Sequence, residues 1–243
     1  MANQVSFNWL SYSAVLFDLD GVVTPTAKIH EQAWAKLFSD YDYLPEDYLA
    51  YIDGKPRYEG VATFLASRNI ELPWGKPDDR PGRNTVCAMG NTKNDVFLSI
   101  LERDEIKPYC GTLAVMDLLD EHGITQAIVS SSKNARPVLD SAGLADRFEV
   151  VVDGITAVEE GLAGKPDPAM FRYAADAVDF PVAQCVVVED AVAGVKAGVG
   201  GGFGYVLGID RGGNRNALAE AGAHSVVADV GEAAPMPTPD PDK

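Results

Sequence analysis

The sequence predicts an α/β protein: a doubly wound, Rossmann-like parallel sheet with a small helical cap inserted after the first strand. Three observations lead there. Short β-branched runs are apolar on consecutive residues, as strands covered on both faces must be. Helical patterns alternate with these runs through the second half of the chain. One long stretch after the first run carries only helical patterns.

The strand candidates are residues 14–20 (AVLFDLD), 126–130 (QAIVS), 148–153 (FEVVVD), 185–190 (CVVVED), 203–207 (FGYVL) and 225–228 (SVVA). Between them, Val115, Leu118, Leu119 and His122 follow helical spacing before Gly123. Ala135, Val138, Leu139 and Ala142 do the same before Gly143. Phe171, Ala174, Ala175 and Val178 form a third such helix, with Asp167 and Pro168 as its N-cap and first-turn residues. The helical stretch runs from residue 27 to 104, opened by Thr24 as N-cap and Pro25 as first helical residue. Within it, Trp34, Leu37, Phe38 and Tyr41 make one apolar stripe, and Val61, Phe64 and Leu65 another. Residues 72–91 are rich in proline, glycine and charge and read as a long functional loop. The expected division is a core of residues 1–26 and 105–230, a cap of 27–104, and a Pro-rich acidic tail, 231–243, that is disordered.

Composition excludes several classes. The 243 residues carry a net charge of −16. That surface repels phosphate backbones and anionic bilayers, so neither nucleic acid nor membrane is an expected partner. The N-terminus lacks a signal-peptide pattern, and no apolar run nears the ~20 residues of a membrane span. Cys87, Cys110 and Cys185 are too few and too scattered for a disulfide framework or a zinc motif. The expectation is a cytoplasmic monomer with reduced thiols.

Ligands of an open α/β sheet collect at the carboxyl ends of its strands. Those ends deliver Asp18, Asp20 and Gly21, then Ser130–Ser132 with Lys133 and Asn134, then Lys165, then Glu189 and Asp190. Carboxylates crowded in one pocket call for a hard cation, and Mg²⁺ with oxygen ligands fits. Asp18 can then act as a nucleophile on phosphorus and form an aspartyl-phosphate. Asp20, two residues on, is placed to protonate the leaving oxygen. Ser130 and Lys165 would hold the remaining phosphoryl oxygens. Each feature alone is commonplace. Asp190 could be a helix N-cap, the serines an ordinary turn, and Lys165 a solvated surface lysine. Together, in order and each at a strand end, they point to phosphoryl transfer.

The same residues resemble the haloacid dehalogenase superfamily, and within it the β-phosphoglucomutase-like group. DLDGV at 18–22 is similar to the first superfamily motif, Ser130 to the second, Lys165 to the third, and Glu189-Asp190 to the fourth. The resemblance implies that Mg²⁺ is held by Asp18, the Asp20 carbonyl and Asp190, with Glu189 in support. It implies substrate-binding roles for Thr26, His30, Arg57, Lys93, Ser132, Lys133 and Asn134. Of these, Arg57, Ser132, Lys133 and Asn134 would hold the phosphate that is not being transferred, while His30 and Lys93 position Asp20. Pro25 stands where many relatives carry an acidic residue, which stiffens the link into the cap. The expected activity is a Mg²⁺-dependent phosphosugar mutase acting on a small phosphorylated sugar. A sugar-phosphate phosphatase and a non-catalytic phosphosugar-binding protein remain the alternatives.

The remaining motifs point elsewhere. The glycines of GVGGGFG (198–204) follow a helix and precede a strand, so they make a helix stop and a turn, not a nucleotide loop. His122 reads as a helix-end residue, and His224 has no evident partner. Trp9, Trp34 and Trp74 are packing residues, with Trp74 also placed to touch a sugar.

Overall fold

A computed structural model describes residues 7–53, 55–104 and 106–233. Six strands form one all-parallel sheet in the order β3-β2-β1-β4-β5-β6. They are β1 (Ala14–Phe17), β2 (Thr125–Val129), β3 (Val150–Val152), β4 (Cys185–Glu189), β5 (Tyr205–Ile209) and β6 (Ser225–Val227). The chain leaves β1 to build one half of the sheet and returns to its other side with β4. β1 therefore lies at the switch point, where the crevice for a ligand opens. Alternate residues of each strand feed opposite faces. Ala14, Leu16 and Val187 pack in one apolar cluster, and Val15, Phe17 and Val188 in another.

Helices α1 (Thr26–Leu37), α2 (Pro45–Asp47), α3 (Arg57–Ser67) and α4 (Val86–Arg103) fill the segment between β1 and α5 (Cys110–Glu121). The chain then alternates through α6 (Ala135–Ser141), α7 (Gly154–Glu159), α8 (Ala169–Ala177), α9 (Val192–Gly201) and α10 (Arg215–Glu220). The helical segment has an apolar cluster of its own, with Trp34, Phe38, Val61, Phe64 and Met89, and Phe38 stacked 3.9 Å from Phe64. The lower parts of α1 and α4, at Ile29, Ala33, Phe97 and Ile100, instead join the cluster under the sheet. Packing thus continues across the chain positions that separate insert from sheet. Among the described residues, no helix is long and apolar enough to cross a membrane. The three cysteines are free thiols.

Several expectations need correction. Thr24 is not the N-cap of α1; the helix begins at Thr26 with Pro25 in the cap position, and the Thr24 side chain is buried against Thr26. Residues 72–91 are not one loop. The irregular part ends at Thr85, whose hydroxyl accepts from the Ala88 amide and caps α4. Val86, Cys87, Ala88 and Met89 are buried, and that packing carries the helix through Gly90. Pro168, not Asp167, is the N-cap of α8, although the Asp167 side chain still accepts from the Ala169 amide. The supposed tail starts too early, because Val230–Ala233 is a short helical turn and the Trp9 indole donates to the Ala233 carbonyl. Residues 234–243 lie outside the described set. His224 does have a partner: its Nδ1 accepts from the Val206 amide, and its ring stacks on Tyr205.

Candidate active site

A cavity of about 830 Å³ opens between the carboxyl edge of the sheet and the helical segment. Asp18, Asp20, Ser130, Lys165, Glu189 and Asp190 line its floor from the sheet, while His30, Arg57 and Lys93 line it from the helices.

Lys165 organises the floor. Its ammonium donates to Asp18 Oδ1 at 2.6 Å, Glu189 Oε1 at 2.8 Å and the Val129 carbonyl at 3.0 Å. Three N–H donors meet three acceptors at the tips of β1, β2 and β4. Burial pulls the Lys165 pKa down, but Asp18 and Glu189 outweigh it and the net direction is up. Its hydrogens are thus already committed to carboxylates and a carbonyl, and it fixes Asp18 instead of waiting free for an anion. Burial pushes Asp18 and Asp190 above the ordinary carboxylate range, with the neighbouring carboxylates adding to the shift and Lys165 opposing it at Asp18.

The acids suit a hard divalent cation. Asp18, Glu189 and Asp190 each offer an oxygen, all within 4.8 Å of one another. One buried ammonium leaves two of the three negative charges uncompensated, and oxygen donors match Mg²⁺. Glu189 is the least available of the three. Its Oε1 takes Lys165 and its Oε2 the Ala191 amide at 2.7 Å, so it braces the site. Asp190 is not a helix N-cap, since Ala191 occupies that position in α9. Gly21 makes the turn possible: its φ is +87°, and a Cβ there would come 1.8 Å from Asp190 Oδ2.

Asp20 is held from several sides. The Thr26 hydroxyl donates to its Oδ1, Ser130 also bonds its carboxylate, and His30 Nε2 lies 3.6 Å away. Burial pushes its pKa up, while the bond from Thr26 and the charges of Lys93 and Lys165 oppose the shift. Lys93 Nζ sits 2.6 Å from His30 Nδ1. Burial, Lys93 and Arg57 hold the His30 pKa well below its ordinary value, so the ring is neutral. While Lys93 is protonated its ammonium only donates, so Nδ1 accepts and the ring proton sits on Nε2, 3.6 Å from Asp20 Oδ1.

A second cluster is cationic. Arg57 begins α3, and Lys133 lies at the end of the β2 edge with its ammonium 5.6 Å from the Tyr58 ring centre. Among the described residues Arg57, Lys93 and Lys133 have no ion-pair partner. Burial lowers all three pKa values, and Arg57 lowers those of both lysines further by repulsion. Glu59 does not pair with Arg57, and the Arg57 Nη2 instead donates to Asn94 Oδ1 at 2.7 Å.

Two expected substrate contacts do not reach the cavity. Thr26 is fully buried and donates to Asp20, and Asn134 is buried and donates to Asn94. Ser132 and Lys133 line the wall, as does Trp74, which is 52% exposed. Sequence reasoning missed the junction after β5. From there Arg211 Nε donates to the Gly21 carbonyl at 2.8 Å, and Asn214 Nδ2 to the Asp190 carbonyl at 3.0 Å. The Arg211 guanidinium also stacks 3.6 Å over Tyr109, in the segment that returns from the helical insert to the sheet. Arg211 follows a strand end, which was the available signal.

A parallel sheet whose switch-point strand ends in a lysine-clamped aspartate, roofed by inserted helices, defines a phosphoryl-transfer enzyme. The sequence matches the haloacid dehalogenase-like hydrolases over residues 12–202, and the chain belongs to that family. Within it the chain falls in the β-phosphoglucomutase-like subgroup. It is 41% identical over 237 residues to a beta-phosphoglucomutase of Mycobacterium tuberculosis, covering 90% of each chain. It is also 30% identical over 189 residues to hexitol phosphatase A of Escherichia coli, covering 77% of this chain and 78% of that one. The crystal structure of a beta-phosphoglucomutase from Clostridium difficile shares the fold. The TM-score is 0.76 at 26% identity, over 91% of this chain and 92% of that one.

Proposed function

We propose that the chain is a magnesium-dependent phosphosugar mutase that interconverts β-glucose 1-phosphate and glucose 6-phosphate through a phosphoryl group on Asp18. The observation that carries this reading is the second, cationic cluster. A phosphatase needs one phosphate site. A mutase needs two, because its bisphosphate intermediate must turn and offer either end to the nucleophile. Arg57 and Lys133, joined by Lys93 where it is protonated, supply positive charge without an ion-pair partner among the described residues, in the cavity of a strongly acidic chain. Within this reading the helical segment, residues 27–104, acts as a cap over the core, and the chain acts alone on a small phosphorylated sugar.

The chemistry follows from the residues in place. The Asp18 oxygen not bonded to Lys165 attacks phosphorus, and the bond from phosphorus to the sugar oxygen breaks. Asp20 gives its proton to that departing oxygen. In the other half, the free hydroxyl of a sugar monophosphate attacks the aspartyl-phosphate, the bond from phosphorus to Asp18 breaks and the hydroxyl proton passes to Asp20. This forms the bisphosphate, which then turns and gives its other phosphoryl group to Asp18. Thr26 and Ser130 keep Asp20 aimed through both halves. Asp18, Asp190 and the Asp20 carbonyl would hold the magnesium ion, which neutralises charge on the transferring group.

The alternative is a sugar-phosphate phosphatase with the same phosphoenzyme, favoured by the similarity to a named phosphatase. Arg57→Ala separates the two. Losing a charged hydrogen-bond donor costs about 1.5–3 kcal/mol, so isomerisation should fall about 10–150-fold. Hydrolysis of acetyl phosphate, which leaves the distal site empty, should change far less. Equal loss of both activities, or loss of neither, moves the assignment to the phosphatase.

A further inference from the structure

Asn94 is one residue past Lys93 on α4 and does not line the cavity. Its side-chain oxygen nevertheless accepts two hydrogen bonds of 2.7 Å, one from Arg57 Nη2 and one from Asn134 Nδ2. The orientation of the carboxamide is fixed by chemistry. A guanidinium only donates, so the atom facing it is the oxygen, and Asn134 must then present its NH₂ group. Three separate segments meet at this one atom. Arg57 opens α3, Asn94 lies mid-way along α4, and Asn134 is the N-cap residue of α6 on the sheet side.

We infer that Asn94 is the positioning residue of the distal phosphate site, aiming the Arg57 guanidinium of the helical insert at the cavity and tying it through Asn134 to the sheet. This rests on the distal-site reading above and specifies how that site is assembled. An asparagine suits the task because its oxygen is a strong acceptor without net charge. It aims the Arg57 guanidinium without discharging it, so the remaining N–H groups keep their full attraction for a phosphate dianion. An aspartate of the same shape would make an ion pair with Arg57 and compete with the ligand. An alanine would leave Arg57 and Asn134 to relax independently. The same oxygen ties insert to sheet at the edge of the cavity, so assembly of the phosphate site and approach of the two parts are one event.

The test measures affinity for glucose 6-phosphate by calorimetry, together with KM and kcat for isomerisation. The proteins are wild type, Asn94→Ala, Asn94→Asp, Arg57→Ala, and both Asn94 variants in the Arg57→Ala background. Asn94→Ala should weaken glucose 6-phosphate about tenfold and act on KM more than on kcat, as lost orientation of one charged contact would. Asn94→Asp, which preserves shape and packing, should weaken it more than alanine does. In the Arg57→Ala background, both Asn94 changes should lose most of their effect. A residue that merely packs α4 would tolerate aspartate and would cost the same in either background. Wild-type affinity in Asn94→Asp, or an undiminished effect without Arg57, overturns the inference while leaving the distal site standing. No loss of affinity in Arg57→Ala itself overturns the distal site and this inference with it.

Discussion

At the scale of residues, Lys93 shows what the cavity asks of a single side chain. Its ammonium lies 5.1 Å from the Trp34 ring centre and 4.9 Å from that of Phe97, against the neutral His30 ring. Burial first, then Arg57, brings its pKa down to about 7, with Asp20 opposing. An unfolded lysine keeps its proton to about 10.4. Between these values the unfolded chain binds more protons, so unfolding free energy rises with pH across that window. Below about 7 the folded protein carries the full cost of the buried charge. Lys93→Met should therefore raise Tm at pH 6, at about 2–4 °C per kcal/mol for a chain of this size. The gain should shrink steadily towards pH 10, and a lower Tm at pH 6 in thermal melts would contradict the assignment. The sequence made Lys93 legible through its resemblance to a motif, and Asp18, Asp20 and Lys165 through their places at strand ends. Asn94 was not legible. Its partners lie 37 and 40 residues away, and only the folded chain brings them together. For Arg211 and Asn214 the place after β5 was the one signal, because the Gly21 and Asp190 groups they hold are backbone carbonyls, which leave no mark in a sequence.

At the scale of elements, the site depends on how closely α3 and α4 approach. Gly90, one turn before Asn94, allows the contact. A Cβ there would stand 2.6 Å from Tyr58 Cδ1 and 3.3 Å from Arg57 Cδ. Alanine in a helix normally gains about 1 kcal/mol over glycine. Here the added methyl must push back the ring and the arginine, and the overlap outweighs that gain. Gly90→Ala should lower stability by about 1–3 kcal/mol, the usual cost of overpacking, and raise KM for the sugar phosphate. Chemical denaturation and steady-state kinetics on the same preparation check both; a more stable protein with unchanged KM would show that α3 and α4 need no such closeness. The six strands were readable because continuous β-branched runs have few other uses in an α/β chain. The start of α4 was not, because Thr85 caps it inside a stretch whose prolines and glycines read as loop.

At the scale of the whole molecule, a net charge of −16 stands against a local group of basic side chains, Arg57, Lys93 and Lys133, that have no ion-pair partner among the described residues. The acidic surface gives no general attraction for anions, so whatever phosphate affinity exists must be local. The mutase reading places two anion sites in one cavity, one above Asp18 and one at Arg57, both of which line it. The most direct measurement gives the purified protein β-glucose 1-phosphate with Mg²⁺ and a catalytic amount of glucose 1,6-bisphosphate, and follows glucose 6-phosphate and free phosphate together. The two-site account predicts glucose 6-phosphate accumulating with only minor phosphate release. Phosphate released in step with substrate loss, with no glucose 6-phosphate formed, would contradict it.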